Sequence, residues 1–204
     1  MTMRRVIDVS HLPEEVADSR ALLWWGNLGM MLIEGTMFAM VLASYFYLRS
    51  VNIDWPPSTV RPPDLVLPTI NLALLLLSCI PIFLADRAAQ RDAQKPMLIL
   101  TGVTVLMGLA FLVIRVFCVI DLGYSWSDHA YGSIIWTAIG LHTFHTVAAC
   151  GETGLLVVYG MLRPITKKQL LDIRASAVYW YFVTLWWIPF YLLVYVAPYV
   201  NRKG

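Results

Sequence analysis

Residues 24–49 read WWGNLGMMLIEGTMFAMVLASYFYLR, and between Asn27 and Arg49 the only charged side chain is Glu34. A helix rises about 1.5 Å per residue, so this run is long enough to cross a hydrocarbon core of about 30 Å. Trp24 and Trp25 are expected to mark one membrane interface, and Tyr45, Tyr47 and Arg49 the other. Glu34 then falls near mid-membrane. An ionised carboxylate there costs from a few to more than about 10 kcal/mol, so it must be protonated, paired or hydrated. It reads either as polar glue to a neighbouring helix or as a group near a proton path.

The rest of the chain repeats this character. Of 204 residues, 59% are hydrophobic and 14% charged, with a mean hydropathy of +0.67. That excludes a disordered chain and an ordinary soluble domain, and implies an integral membrane protein. A formal net charge of +2 is too small to imply nucleic-acid binding. Cys79, Cys118 and Cys150 lie inside apolar runs, odd in number and without CxxC spacing. A disulfide framework or a zinc site is therefore not expected, and each reads as a small buried hydrophobe.

Residues 1–21 are polar and lack the short apolar run and small-residue cleavage site of a signal peptide, so they are expected to form a cytoplasmic segment, with HLPEE as a turn or helix start at the membrane surface. Residues 22–200 are expected to form one all-α bundle of five transmembrane helices, at about 22–49, 65–86, 96–120, 130–162 and 175–199. Between the first two, DWPP and RPP forbid regular helix and suggest an extended surface loop. Pro81 and Pro189 should kink spans two and five. Asn71 reads first as an interhelical hydrogen bond and otherwise as a functional polar contact. Arg115, near the far end of span three, should snorkel to the interface or pair with Glu34, Glu152 or Asp121. Residues 86–95 should be a charged loop, and 163–174 a basic one. Ser127 or Asp128 should cap the fourth helix.

That helix carries His142 and His145 three residues apart, with Glu152 seven further on, all on one side. Three titratable groups on one face invite a metal or haem reading, but the remaining histidines, His11 and His129, fall outside the membrane core. Di-metal bundles draw Glu and Glu-x-x-His from several helices. A hydrogen-bonded network to neighbouring helices, lipid or water is expected instead, with no metal and no catalytic residue. Gly140, Ala148, Ala149, Gly151 and Gly154 make the same helix smooth enough for close packing. The aromatic fifth span reads as packing surface.

Counting Lys and Arg by loop gives ten on the side of the N-terminus against four on the other. The expected orientation is N-terminus inside and C-terminus outside.

Four segments resemble, in order, subunit III of the haem–copper cytochrome c oxidases. WWGNLGMMLIEGTMFAMVLASYF has that family's tryptophan pair and mid-helix Glu. LPTINLALLLLS resembles its P-L-x-N-T helix at Pro68 and Asn71. SDHAYGSIIWTAIGLHTFHTVAACG is similar to its S-D-G-x-Y-G-S … G-F-H-G-L-H-V segment at Ser127, Asp128, Tyr131, Gly132, Ser133, Gly140, His142 and His145. VYWYFVTLWWIPFY resembles its W-Y-W-H-F-V-D-V-V-W ending at Tyr179, Trp180, Phe182, Val183 and Trp187. The chain departs from the pattern at Tyr181 and Thr184, where His and Asp are usual, and at Cys118, where Glu is usual. Glu152 is extra, and five spans replace seven, as in bacterial members.

The resemblance implies a non-catalytic subunit in a bacterial inner membrane. It would dock on a haem- and copper-bearing subunit I and other oxidase subunits in aerobic respiration, hold structural phospholipid and support sustained proton uptake, binding no haem or copper itself. Glu34 would be the proton-tuning group, with Trp24, Trp25, Asn71, Arg115, His142, His145 and Glu152 in polar, lipid or subunit contacts. An accessory subunit of a nitric oxide reductase and a small stand-alone transporter are the competing expectations. Transporters usually show inverted repeats and paired broken helices, and the chain has no evident internal repeat.

Overall fold

The computed structural model describes residues 22–163 and 167–201; the expectations for residues 1–21 lie outside them. Among the described residues there is no strand. Helix α1 spans Leu22–Val51, α2 Val66–Leu77, α3 Cys79–Gln90, α4 Gln94–Ile120, α5 Ala130–Leu162 and α6 Lys167–Tyr191. A π-helical turn, Leu192–Val196, then leads into α7, Ala197–Asn201. Five helical runs are long and apolar enough to cross a membrane: Leu22–Val51, Val66–Gln90, Gln94–Ile120, Ala130–Leu162 and Leu170–Val200. The protein is a polytopic all-α membrane bundle, as its sequence leads one to expect.

Each interruption has a local cause. Pro81 has no N–H for the Leu77 carbonyl, and the second span breaks at Ser78 between α2 and α3. Ser78 fills the gap: its hydroxyl donates to the Leu75 carbonyl at 2.6 Å and accepts from Trp180 Nε1 of α6 at 2.9 Å. Pro189 stays inside α6, and a π-helical turn follows it at Leu192–Val196. The expected charged loop at 86–95 is shorter than its composition suggests. Helix α3 runs on to Gln90, so Asp86 and Arg87 are helical, and the turn is Arg91–Ala93. Likewise α6 begins at Lys167, which takes Asp172 and Arg174 out of the expected loop; Arg174 Nε reaches Asp86 Oδ1 at 3.3 Å and ties α6 to α3.

The cap of α5 also differs from expectation. Neither Ser127 nor Asp128 caps it; His129 does, its ring Nδ1 accepting from the Gly132 backbone N–H at 2.7 Å. Asp128 is engaged one step earlier, where its carboxylate accepts from the Ser125 N–H at 2.7 Å. Gly132 is required here, because a Cβ would lie 2.6 Å from the Ser125 carbonyl oxygen. The half-buried Tyr124 phenol beside this turn has its pKa raised by desolvation, so it stays neutral.

Tyr45 is buried within the bundle, and the proline-bearing loop folds back over it so that Trp55 packs on Tyr45 and Tyr131, at centroid distances of 5.4 and 5.1 Å. Aromatic area of this size is stabilising only when it leaves the aqueous layer. Close helix packing, expected along α5, is centred on Gly108 of α4, where a Cβ would come within 2.6 Å of both Cys150 Sγ and the Trp180 ring. Gly140 and Gly151 face open space. The aromatic surface of α6 is packing surface, as expected: Trp180 and Trp187 are buried.

Candidate functional site

Helix α1 packs on α5 and α6, and one residue sets the contact. Phe38 is fully buried, 4.7 Å from the His145 ring and within 5.2–6.0 Å of Trp186, Phe190 and Phe182. Gly35, one turn away, faces the Phe182 ring of α6. Asn27 pins the start of α1 by donating from Nδ2 to the Ala175 carbonyl at 3.0 Å.

This seating turns Glu34 toward α5, where its Oε2 lies 3.8 Å from His145 Nε2. His145 Nδ1 is 2.7 Å from the Leu141 carbonyl, which accepts only, so Nδ1 carries a proton. Nε2 is thus the nitrogen that faces Glu34, and the carboxyl at this depth has a partner across the contact between α1 and α5. Tyr179 of α6 is a third member, its hydroxyl interacting with the Glu34 carboxyl.

The other expected residues separate. His142 is fully buried and turns to α6, donating from Nε2 to the Val183 carbonyl at 3.1 Å, with Trp187 at 4.6 Å. It is thus held apart from the Glu34 pair by its own partners. Glu152 is exposed on α5 and lines a cleft of about 390 Å³ with Asn27, Met30, Leu156 and Asp172. Trp25 is exposed and Trp24 half-buried, at the start of α1. Asn71 is buried, but its Oδ1 has no partner, against the expected interhelical hydrogen bond.

Arg115 contradicts its expectation most directly. It neither snorkels nor reaches Glu34, Glu152 or Asp121. It is only 2% exposed, with its guanidinium carbon 3.5 Å from the Trp187 ring centroid and 4.6 Å from that of Phe111. On the inward stripe of α4, with Phe111 one turn before and Cys118 one turn after, the side chain has no route to the interface. Aromatic faces compensate it in place of a carboxylate.

Sequence reasoning missed Tyr179, Asn27 and Phe38 as parts of the site. Their roles depend on how α1 seats against α5 and α6, which no local pattern encodes. Among the described residues, no group of three or more His, Cys, Asp or Glu could hold a metal ion.

The family model for cytochrome c oxidase subunit III matches residues 18–199, which takes in all five spans and every member of the Glu34 site. The chain belongs to the cytochrome c oxidase subunit III family. Among its relatives, cytochrome c oxidase subunit 3 of Thermostichus vulcanus is 29% identical over 196 residues, covering 93% of this chain and 92% of that protein. That of Loxodonta africana is 31% identical over 171 residues, 81% of this chain and 64% of the relative. The human protein is 27% identical over 142 residues, 69% of this chain and 54% of its own length. This subunit III family member thus spans about half the length of several animal relatives and nearly all of the bacterial one.

Proposed function

We infer that this chain is a non-catalytic subunit of a haem–copper terminal oxidase, docked on the subunit that carries haem and copper and working in aerobic respiration in a bacterial inner membrane. The observation that carries the reading is the family match across 18–199. The Glu34–His145 pair supports a role in proton handling, because it sets a carboxyl and an imidazole 3.8 Å apart on facing helices. In this reading it tunes protonation and packing next to the partner, lipid fills the exposed apolar faces, and the oxygen chemistry belongs to the partner. The expected orientation, N-terminus inside, places Trp24 and Trp25 at the inner interface.

The test is co-purification. A tagged chain drawn from its native membrane should bring a haem- and copper-containing polypeptide with the absorption spectrum of an oxidase that consumes oxygen. A haem partner that reduces nitric oxide instead would make the chain an accessory subunit of that enzyme. Isolation without any haem protein would favour the transporter reading.

A further inference from the structure

Four buried polar side chains from three parts of the bundle lie close to one level. The inward stripe of α4 ends Phe111, Arg115, Cys118, and that of α2 runs Pro68, Asn71, Leu75. Pro68 and Cys118 line one cleft between these antiparallel helices. One turn deeper on each side, Asn71 is level with Arg115. Helix α6 sets the Trp187 ring 3.5 Å from the guanidinium. The π-helical turn adds Tyr195, whose hydroxyl is close enough to act on Arg115 electrostatically. None of the four residues is more than 2% exposed. The three Arg115 nitrogens, Trp187 Nε1, the Tyr195 hydroxyl and Asn71 Oδ1 all lack a hydrogen-bond partner.

We propose that Arg115 and Tyr195, with Trp187 beneath and Asn71 opposite, form a binding site for one small monovalent anion of the halide class. Donor chemistry sets the sign. A guanidinium and an indole N–H only donate, and a phenol can donate as well. The Asn71 amide can turn end for end without change of shape and present its N–H₂ group. A set weighted toward donors takes an acceptor. Water would accept, but it would leave the charge of Arg115 standing in the bundle interior, where a lone charge is expensive. The rings of Trp187 and Phe111 offset part of that charge. Among the described residues the ion pairs are His145–Glu34 and Arg174–Asp86, so no carboxylate neutralises Arg115.

Size and valence follow from the surroundings. One cation calls for one negative charge, and enclosure by α2, α4 and α6 admits only a small ion. The cleft above, about 350 Å³, has the exposed Asp64 and Asp121 on its walls. Their like charge makes exchange of an anion slow. The site lies wholly within this chain and stands or falls separately from the oxidase reading.

The experiment purifies the tagged chain, with whatever accompanies it, in chloride-free buffer. Chloride then replaces gluconate at fixed ionic strength, and each sample is equilibrated overnight before its thermal unfolding midpoint is measured. The midpoint should rise with chloride, because a ligand that binds only the folded state stabilises it. Arg115→Met should abolish the response. Tyr195→Phe should need about tenfold more chloride, the loss of one hydrogen bond to a charged group. Cys118→Glu places a fixed carboxylate one turn from the guanidinium, on the same stripe and beside it, and should also abolish the response. Arg49→Gln, at the exposed end of α1, should respond as the unaltered chain does. If Cys118→Glu does not fold, Arg115→Met and Tyr195→Phe decide. An unaltered chain indifferent to chloride overturns the proposal and leaves the rings or water to satisfy Arg115. An equal response in Arg115→Met overturns it too, since the anion would then sit elsewhere.

Discussion

The guanidinium of Arg115 lies 3.5 Å from the ring centroid of Trp187, and its three nitrogens have no hydrogen-bond partner. A buried cation without a carboxylate depends on the ring beneath it. Desolvated cation–π contacts are worth about 2 kcal/mol or more, and truncating a buried Trp costs about 3–5 kcal/mol in packing. Trp187→Leu should therefore lower the thermal unfolding midpoint of the detergent-solubilised protein by more than lost volume explains. Arg115→Met should be mild, since an apolar replacement for a buried charge is often neutral or stabilising. In the double variant the cost of losing Trp187 should shrink; strictly additive losses would remove the coupling.

For the Glu34–His145 pair, Glu34→Gln keeps shape and removes the titratable proton, so assembly should persist and sustained turnover of the complex should change slightly. Infrared difference spectra should lose the signal of one carboxyl group. Loss of the partner's haems or dissociation of the complex would point to a purely structural Glu34.

Gly108 has no room for a side chain. With a Cβ 2.6 Å from both Cys150 Sγ and the Trp180 ring, Gly108→Ala should destabilise by about 1–3 kcal/mol, the range for overpacking. Adding Cys150→Ala should recover part of this and leave the Trp180 clash. Thermal unfolding of the three proteins, measured side by side, decides it.

The His129 cap can be tested by substitution in kind. His129→Ala removes the acceptor for the Gly132 N–H and should cost about 1 kcal/mol. His129→Asn, a strong capping residue, should restore it in the same unfolding assay.

Ser78 joins two helices through the Trp180 indole N–H at 2.9 Å. Ser78→Ala leaves that donor buried without a partner, a penalty of about 1–3 kcal/mol. Ser78→Thr, which keeps the hydroxyl, should cost less. Equal losses in the two variants would show that the hydrogen bond contributes nothing beyond packing.

The amino-acid sequence alone determined that this protein is an all-helical membrane bundle and where its five spans lie, because twenty or so apolar residues in a row have no other stable state and a helix satisfies its backbone locally. It also marked Pro81 as a site of irregularity, since a missing N–H is a property of the residue itself. Tertiary structure decided what each buried polar group faces. Arg115 could snorkel or turn inward from the same position on α4, and only the placement of Trp187 and Phe111 settled it. His142 and His145 look equivalent three residues apart, yet one meets the Val183 carbonyl of α6 and the other Glu34 of α1. Tyr45 reads as a surface aromatic, and only the closing of the loop sets Trp55 against it. In each case the partner lies on another helix, and which helix it is depends on packing across the whole bundle.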